Sequence, residues 1–363
     1  MRRHNLSTTN DSCKYLIVIV IVFCAIGCTL ANNPTVHNDP QWGTNPSSDT
    51  RSDAMNTKQV PEITWQNIRP PYNWWNFFTD AENHPFRYQA TGLDMRNAWW
   101  LIEASTLVYS DPEIVEKTFA RVGLPVVRYF NGKSTQCFVA SNDDFIIVAF
   151  RGMELRMREK DPKAADVIYD FVTVGKVWLV PWKGGGLVHD GFRKGLDEVW
   201  GGKKRKGLKS YLDELSAQKE RPIWFTGHSL GAALATLAAD RYGKARGLYT
   251  FGAPRVGNQE FKNHYTPVNF RFVNNDDIVT RVPPEAFSYC HVGSMIFIDA
   301  GGNVNAAPQS DNCKLEKKDS QKEIAKSIEQ LRKRSSAGIP SWALNHVPLL
   351  YSTYIWNSYI QTK

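Results

Sequence analysis

Apolar positions along this chain fall into two rhythms. An unbroken run at Phe145–Phe150 lacks the polar alternation of a half-exposed strand and reads as a strand buried on both faces. A β-branched and aromatic run at 223–226 reads as another strand, and more are expected at 247–251, 269–273 and 293–298. Two further strands are expected at 125–130 and 136–140. Between and around them the apolar spacing turns helical. From Asp94 to Tyr109, Ala98, Leu101, Ile102, Ser105 and Val108 share one side, and Asp94 is placed to cap the first turn. Helices are also predicted at Phe192–Trp200, at about 207–217, from the Ala/Leu-rich run after Ser229 to about Tyr242, and at Val347–Tyr359. Buried strands separated by helices predict an α/β layered fold, with a mostly parallel central sheet flanked by helices. Trp65 to Tyr88 is aromatic and broken by prolines, so irregular structure packed over the core is expected there. A charged helix at about 316–334, with Ile324, Ile328 and Leu331 at helical spacing, reads as a surface addition.

The two ends of the chain change this picture. Arg2, Arg3 and Lys14 precede an apolar run from Tyr15 to Ile26. That run is short for a membrane span and suited to a signal peptide, residues 1–27. Ala25-Ile26-Gly27-Cys28 resembles a lipobox, in which Cys28 becomes a lipidated N-terminus. Thr29-Leu30-Ala31 offers a competing cleavage site for a secreted form, and an uncleaved anchor is the third reading. All three place the protein outside the cytosol. Residues 28–64 are polar and rich in Asn, Pro, Ser and Thr, as a flexible linker would be, which leaves 65–363 as the folded domain.

The 363 residues carry a formal charge of +8, and removing the signal leaves +6. Basic proteins approach anionic lipid surfaces readily. The densest basic run, Lys203-Lys204-Arg205-Lys206, has no interleaved aromatic residue, which argues against a nucleic-acid groove. Of six cysteines, Cys13 and Cys24 leave with the signal. Cys290 and Cys313 could close a modest loop, though spacing does not fix the pairing. No Cys/His spacing suggests a zinc site.

The densest chemical signal is Ile223-Trp224-Phe225-Thr226-Gly227-His228-Ser229-Leu230-Gly231. A strand, a turn with glycines two before and two after a serine, and then a helix form the setting of a nucleophile elbow. A serine hydroxyl needs a base, and the base needs an acid to orient it. Asp277 lies just past a predicted strand end, with Asp276 as its neighbouring competitor. Only His291 and His346 follow. His291 opens what reads as a strand, whereas His346 lies in a loop before the last helix, so position favours His346. The Leu230 amide, first in its helix, is one candidate oxyanion donor. The Met153 amide, after Phe150-Arg151-Gly152, is the second.

With those residues in view, the chain resembles the class 3 lipases within the α/β-hydrolases. The similarity rests on Val148-Ala149-Phe150-Arg151-Gly152, Val188-His189-Asp190-Gly191-Phe192, Gly227-His228-Ser229-Leu230-Gly231-Ala232, Thr250–Asn258, and Asp277-Ile278-Val279 with Pro283-Pro284. It spans roughly residues 90–359. The resemblance implies an α/β-hydrolase fold with Ser229 as nucleophile, Asp277 as acid and His346 as base. It also implies a lid at about 154–184 that gates access to lipid. The family usually has Thr or Ser where Met153 stands, which removes a hydroxyl from the oxyanion loop. Thr280 replaces a usual proline.

The expected activity is hydrolysis of carboxylic esters of lipids at an interface, most simply triacylglycerols, with no metal or organic cofactor. Phospholipase A1 and feruloyl-type esterase are the alternatives within enzymes. A non-catalytic, lipase-like binding lipoprotein is the alternative outside them.

Overall fold

The computed structural model describes residues 57–64, 66–152, 178–202, 206–306 and 341–362. Ten strands are found among them: β1 Val126–Asn131, β2 Gln136–Ser141, β3 Ile146–Phe150, β4 Leu179–Pro181, β5 Leu187–His189, β6 Ile223–His228, β7 Gly247–Phe251, β8 Asn269–Asn274, β9 Ser294–Ile298 and β10 Val304–Ala306. Eight of these form one sheet in the order β1-β2-β3-β6-β7-β8-β9-β10. The centre, β3 through β9, is parallel, and the antiparallel pairs lie at the two ends. The α/β-hydrolase architecture predicted from the sequence is therefore the observed one.

The central strands β3, β6 and β7 are buried along their length because helices cover both faces. On one face lie α1 Met95–Leu107, α2 Pro112–Arg121 and the C-terminal α8 Pro348–Gln361. They enclose an aromatic-rich core in which Trp99, Trp224, Trp356 and Tyr351 meet Ile147 and Ala149. On the other face α3 Asp190–Trp200, α4 Leu208–Gln218 and α5 Leu230–Tyr242 cover Ile146, Val148, Phe225 and Leu248. This core is largely Ala, Leu and Val. The period-two alternation of each strand thus sends its residues into two different cores. Two shorter α-helices, α6 Gln259–His264 and α7 Ser341–Leu344, and two 3-10 turns, Ile278–Arg281 and Glu285–Phe287, complete the described set.

Asp94 caps α1 as predicted, its side chain accepting from the Asn97 amide at 3.0 Å. The predicted irregular stretch holds no helix or strand among its described residues, and Tyr72, Phe77, Phe78 and Phe86 are buried. Three features went beyond the sequence reading. Helix α2 starts at Asp111-Pro112, with proline in its first turn. β4 and β5 form a separate hairpin, and β10 extends the sheet edge.

The linker expected at 28–64 meets the described residues only at 57–64. There Lys58 is bonded to α8, so the folded body starts before Trp65. The predicted lid, 154–184, falls mostly outside the described residues. Its last part, 178–184, includes β4 and the buried Trp182, whose indole donates to Asp240 at 2.6 Å. This part is packed down because Trp182 also lies under the Arg241 guanidinium, 4.5 Å from the ring centroid. The signal segment, Cys28, Cys313 and the 316–334 helix lie outside the described residues.

Candidate active site

Parallel strands collect their following loops at one end of the sheet. The register pairs Phe150 with Gly227 and His228 with Phe251, so the loops after β3, β6, β7 and β8 converge. At the end of β6 the chain turns so sharply that Ser229 takes φ 59° and ψ −128°. That is an unfavourable conformation for a residue with a side chain, held only where the surroundings dictate it. The surroundings do so through absent side chains. A Cβ on Gly227 would come within 2.3 Å of the Gly231 backbone, and one on Gly231 within 2.3 Å of the Phe150 carbonyl oxygen. Ser229 then donates its amide to the Phe251 carbonyl at 3.0 Å, tying the turn to β7.

The structure brings Ser229, His346 and Asp277 into one hydrogen-bonded line. His346 Nε2 lies 2.9 Å from Ser229 Oγ, and its Nδ1 lies 2.9 and 3.0 Å from the two Asp277 oxygens. Asp277 is fully buried and accepts two more bonds. The Val279 amide donates to it at 2.9 Å and the Tyr351 hydroxyl at 2.6 Å. Burial first, and then the Asp277 charge, pushes Tyr351 well above the usual phenol range, so it remains a donor. Gly252, at φ 58°, lies over the Asp277–His346 contact. A Cβ there would meet Asp277 Oδ2 at 2.8 Å and His346 Nδ1 at 2.9 Å.

The neighbouring acid, Asp276, does not reach His346. It accepts from Ser341 Oγ at 2.7 Å and from the Asn345 amide group, fastening the segment that leads to His346. Asn274 donates to the Asn345 carbonyl at 3.0 Å from the same strand end. His291, the alternative base, is buried away from the serine, with Nε2 2.6 Å from the Thr280 carbonyl. β9 begins at Ser294, three residues later than the strand expected from His291.

His228, inside the elbow motif, has a task that the motif itself does not announce. Its Nε2 lies 2.8 Å from the His346 carbonyl, so Nε2 must carry the proton. Its Nδ1 then accepts from the Tyr109 hydroxyl at 3.2 Å, and that hydroxyl in turn accepts from the Gly152 amide. Burial, and then the neighbouring His346, hold His228 well below the usual imidazole range. A polar residue in a strand otherwise flanked by Trp, Phe and Thr was the available signal for it.

Of the two candidate oxyanion donors, Leu230 opens α5, where first-turn amides have no partner within the helix. Met153 lies outside the described residues, which end at Gly152 in that loop. No group of three or more His, Cys, Asp or Glu side chains able to hold a metal occurs among the described residues.

Part of the chain is similar to known lipases. The family model for class 3 lipases matches residues 147–287. A secreted mono- and diacylglycerol lipase of Fusarium solani is 38% identical over 123 residues, covering 31% of this chain and 35% of the relative. A lipase of Rhizomucor miehei is 36% identical over 125 residues, covering 31% and 33%. The chain thus spans about a third of the length of the curated relatives it matches. Among solved structures, a triacylglycerol lipase whose catalytic centre is a serine-protease triad overlaps 58% of this chain and 82% of its own, at 25% identity and TM-score 0.44. The lipase of Rhizopus microsporus var. chinensis overlaps 58% and 76%, at 25% identity and TM-score 0.41. Overlaps this loose carry no weight beside the fold described above. The signatures on β3, the elbow and the Asp277 loop all lie inside residues 147–287, the stretch that is similar to the class 3 lipases.

Proposed function

We propose that this protein is a serine hydrolase of lipid carboxylic esters, with triacylglycerols as the first substrate to test. The observation that carries the reading is the 2.9 Å contact of Ser229 Oγ with His346 Nε2, on an imidazole whose other nitrogen meets the buried Asp277. In this reading Ser229 attacks the ester carbonyl while His346 removes its proton. Asp277, with Tyr351 donating to it, keeps Nδ1 protonated and stabilises the imidazolium that forms. His346 then returns the proton to the leaving alcohol. A water deprotonated by the same histidine releases the fatty acid from the acyl-serine.

In this reading the amide of Leu230, at the start of α5, is one oxyanion donor and the Met153 amide is the second. A donor of this kind contributes about 3–4 kcal/mol to the barrier. The line from Gly152 through Tyr109 to His228 and the His346 carbonyl joins the approach to Met153 with the base. The secreted relative and the signal-like N-terminus support an extracytoplasmic site of action. Attachment through Cys28 and gating by a lid at about 154–184 extend the same reading.

Fluorophosphonate labelling followed by a hydrolysis panel tests it. The probe is expected on Ser229, absent in Ser229→Ala, and turnover is expected on emulsified triacylglycerols. A native protein that resists the probe and cleaves no ester would leave the non-catalytic reading standing. Preference for phospholipids or for feruloyl esters would reassign the substrate and keep the chemistry. Fatty-acid labelling that disappears in Cys28→Ala tests the anchor.

A further inference from the structure

Away from the serine, residues 57–64 run against α8. The Lys58 amide donates to Asn357 Oδ1 at 2.7 Å, and Asn357 Nδ2 donates back to the Lys58 carbonyl at 2.9 Å. This two-bond clasp directs the lysine side chain inward. Its Nζ comes to rest 4.8 Å from the ring centroid of Trp356, 5.2 Å from that of Trp99 and 5.5 Å from that of Trp75. Glu103 supplies negative charge, with Oε1 3.9 Å from Nζ. That carboxylate is itself fully buried in α1. It accepts from the Trp75 indole at 3.3 Å, from the Phe78 amide at 2.8 Å and from the Ser352 hydroxyl.

Two details separate this arrangement from an ordinary ion pair. Lysine heads normally stay in water while their stems cover apolar surface, yet the Lys58 side chain is only 16% exposed and Nζ has no hydrogen-bond partner among the described residues. The cation is held by ring faces and by charge, without directed acceptors. Such a cage does not require N–H groups on its ligand, so alkylated ammonium ions fit its chemistry as well as a lysine does.

We propose that Trp75, Trp99, Trp356 and Glu103 form an alkylammonium-binding site that the chain fills with its own Lys58. This self-ligation fastens residues 57–64 to the helix that carries Tyr351. Primary to quaternary small alkylammonium ions are the ligand class once the lysine is removed. The site stands independently of the ester-hydrolase reading.

The test uses the full chain with Lys58→Gly, titrated with methylammonium and tetramethylammonium chloride against sodium chloride at equal ionic strength. A saturable change in tryptophan emission and a rise in unfolding midpoint are expected with an alkylammonium ion only. Wild type, whose cage is filled, should not respond. Adding Trp356→Leu should weaken the response about tenfold, as loss of one desolvated ring contact implies. Identical responses to ammonium and sodium salts would overturn the proposal. Lys58→Met fills the space without the charge and covers the case in which Lys58→Gly does not fold. It should expose residues 57–64 to limited proteolysis, and a Met variant as stable and as protease-resistant as wild type would equally overturn it.

Discussion

Ser229 and His346 meet at 2.9 Å, but they are held in place by different means. The serine is positioned by backbone alone: a strand, a helix and two glycines leave its turn one way to close, and no side chain helps. The histidine is positioned almost wholly by side chains. Asp277 and Tyr351 fix its ring, Asp276 and Asn274 fix the segment before it, and His228 fixes its carbonyl. A backbone device tolerates no partial version of itself. A side-chain network can be dismantled one bond at a time, so damage to the elbow should be all-or-none in the fold, and damage to the base should be graded in rate.

The largest expected effect sharpens the base side. Asp277→Asn should lower kcat by about 10⁴-fold, as loss of the correct imidazole tautomer does in such triads, with the unfolding midpoint little changed. Steady-state kinetics beside thermal melting would separate the two. Gly231→Ala attacks the elbow instead. Its Cβ would meet a backbone oxygen at 2.3 Å, so a stability loss of about 3 kcal/mol is expected, read by denaturant unfolding. Retention of full stability and activity would break the contrast.

Acid should weaken the fold around both. His228 and His291 are held well below the ordinary imidazole value, and His189 is pushed down to about 4, in each case chiefly by burial. The unfolded chain takes up these protons near the ordinary value of 6.5, while the folded one does not. Stability is therefore fully present above that pH and falls as pH drops, at up to about 1.4 kcal/mol per pH unit for each histidine. His189 should stop contributing to the fall near pH 4. Chemical unfolding across this range measures the slope, and a flat profile would refute the buried, neutral state.

Smaller effects belong to the base network. Tyr351→Phe removes one buried hydrogen bond to a charged acceptor, so kcat should drop about tenfold with KM unchanged. Asp276→Ala frees the segment before His346 at two partly exposed bonds. A decrease of about two- to fivefold is expected, partly recovered in Asp276→Asn. Equal losses from Asp276→Ala and Asp277→Asn would mean that the two acids do one job.

The same difference explains what could be read from the amino acids alone. The elbow was legible because glycine at fixed spacing on either side of a serine is a local demand, written within five residues. β3 was legible because burial on both faces leaves an unbroken apolar run, and its neighbours because aromatic and β-branched residues crowd them. The supports of His346 come from β8, α7, α8 and β6, and nothing in the sequence spacing of Asn274, Asn345 and Tyr351 announces that they meet. His291 misled as a strand opener because a buried histidine can sit before a strand when a carbonyl takes its proton, as Thr280 does here. Lys58 lies in the stretch expected to be a polar flexible linker, and no local pattern distinguishes a lysine bound for a tryptophan cage from one in solvent.

One consequence concerns where a proton can go. The rings of His228 and His346 lie 4.5 Å apart, centroid to centroid, close enough for two bases to compete for the hydrogen leaving Ser229. They do not compete. His228 already spends its one hydrogen on the His346 carbonyl, and its remaining nitrogen is occupied by Tyr109. A second protonation would have to place charge in a dry pocket beside the charge forming on His346. The site therefore has two imidazoles but a single proton acceptor, and in the proposed cycle every proton passes through His346 Nε2.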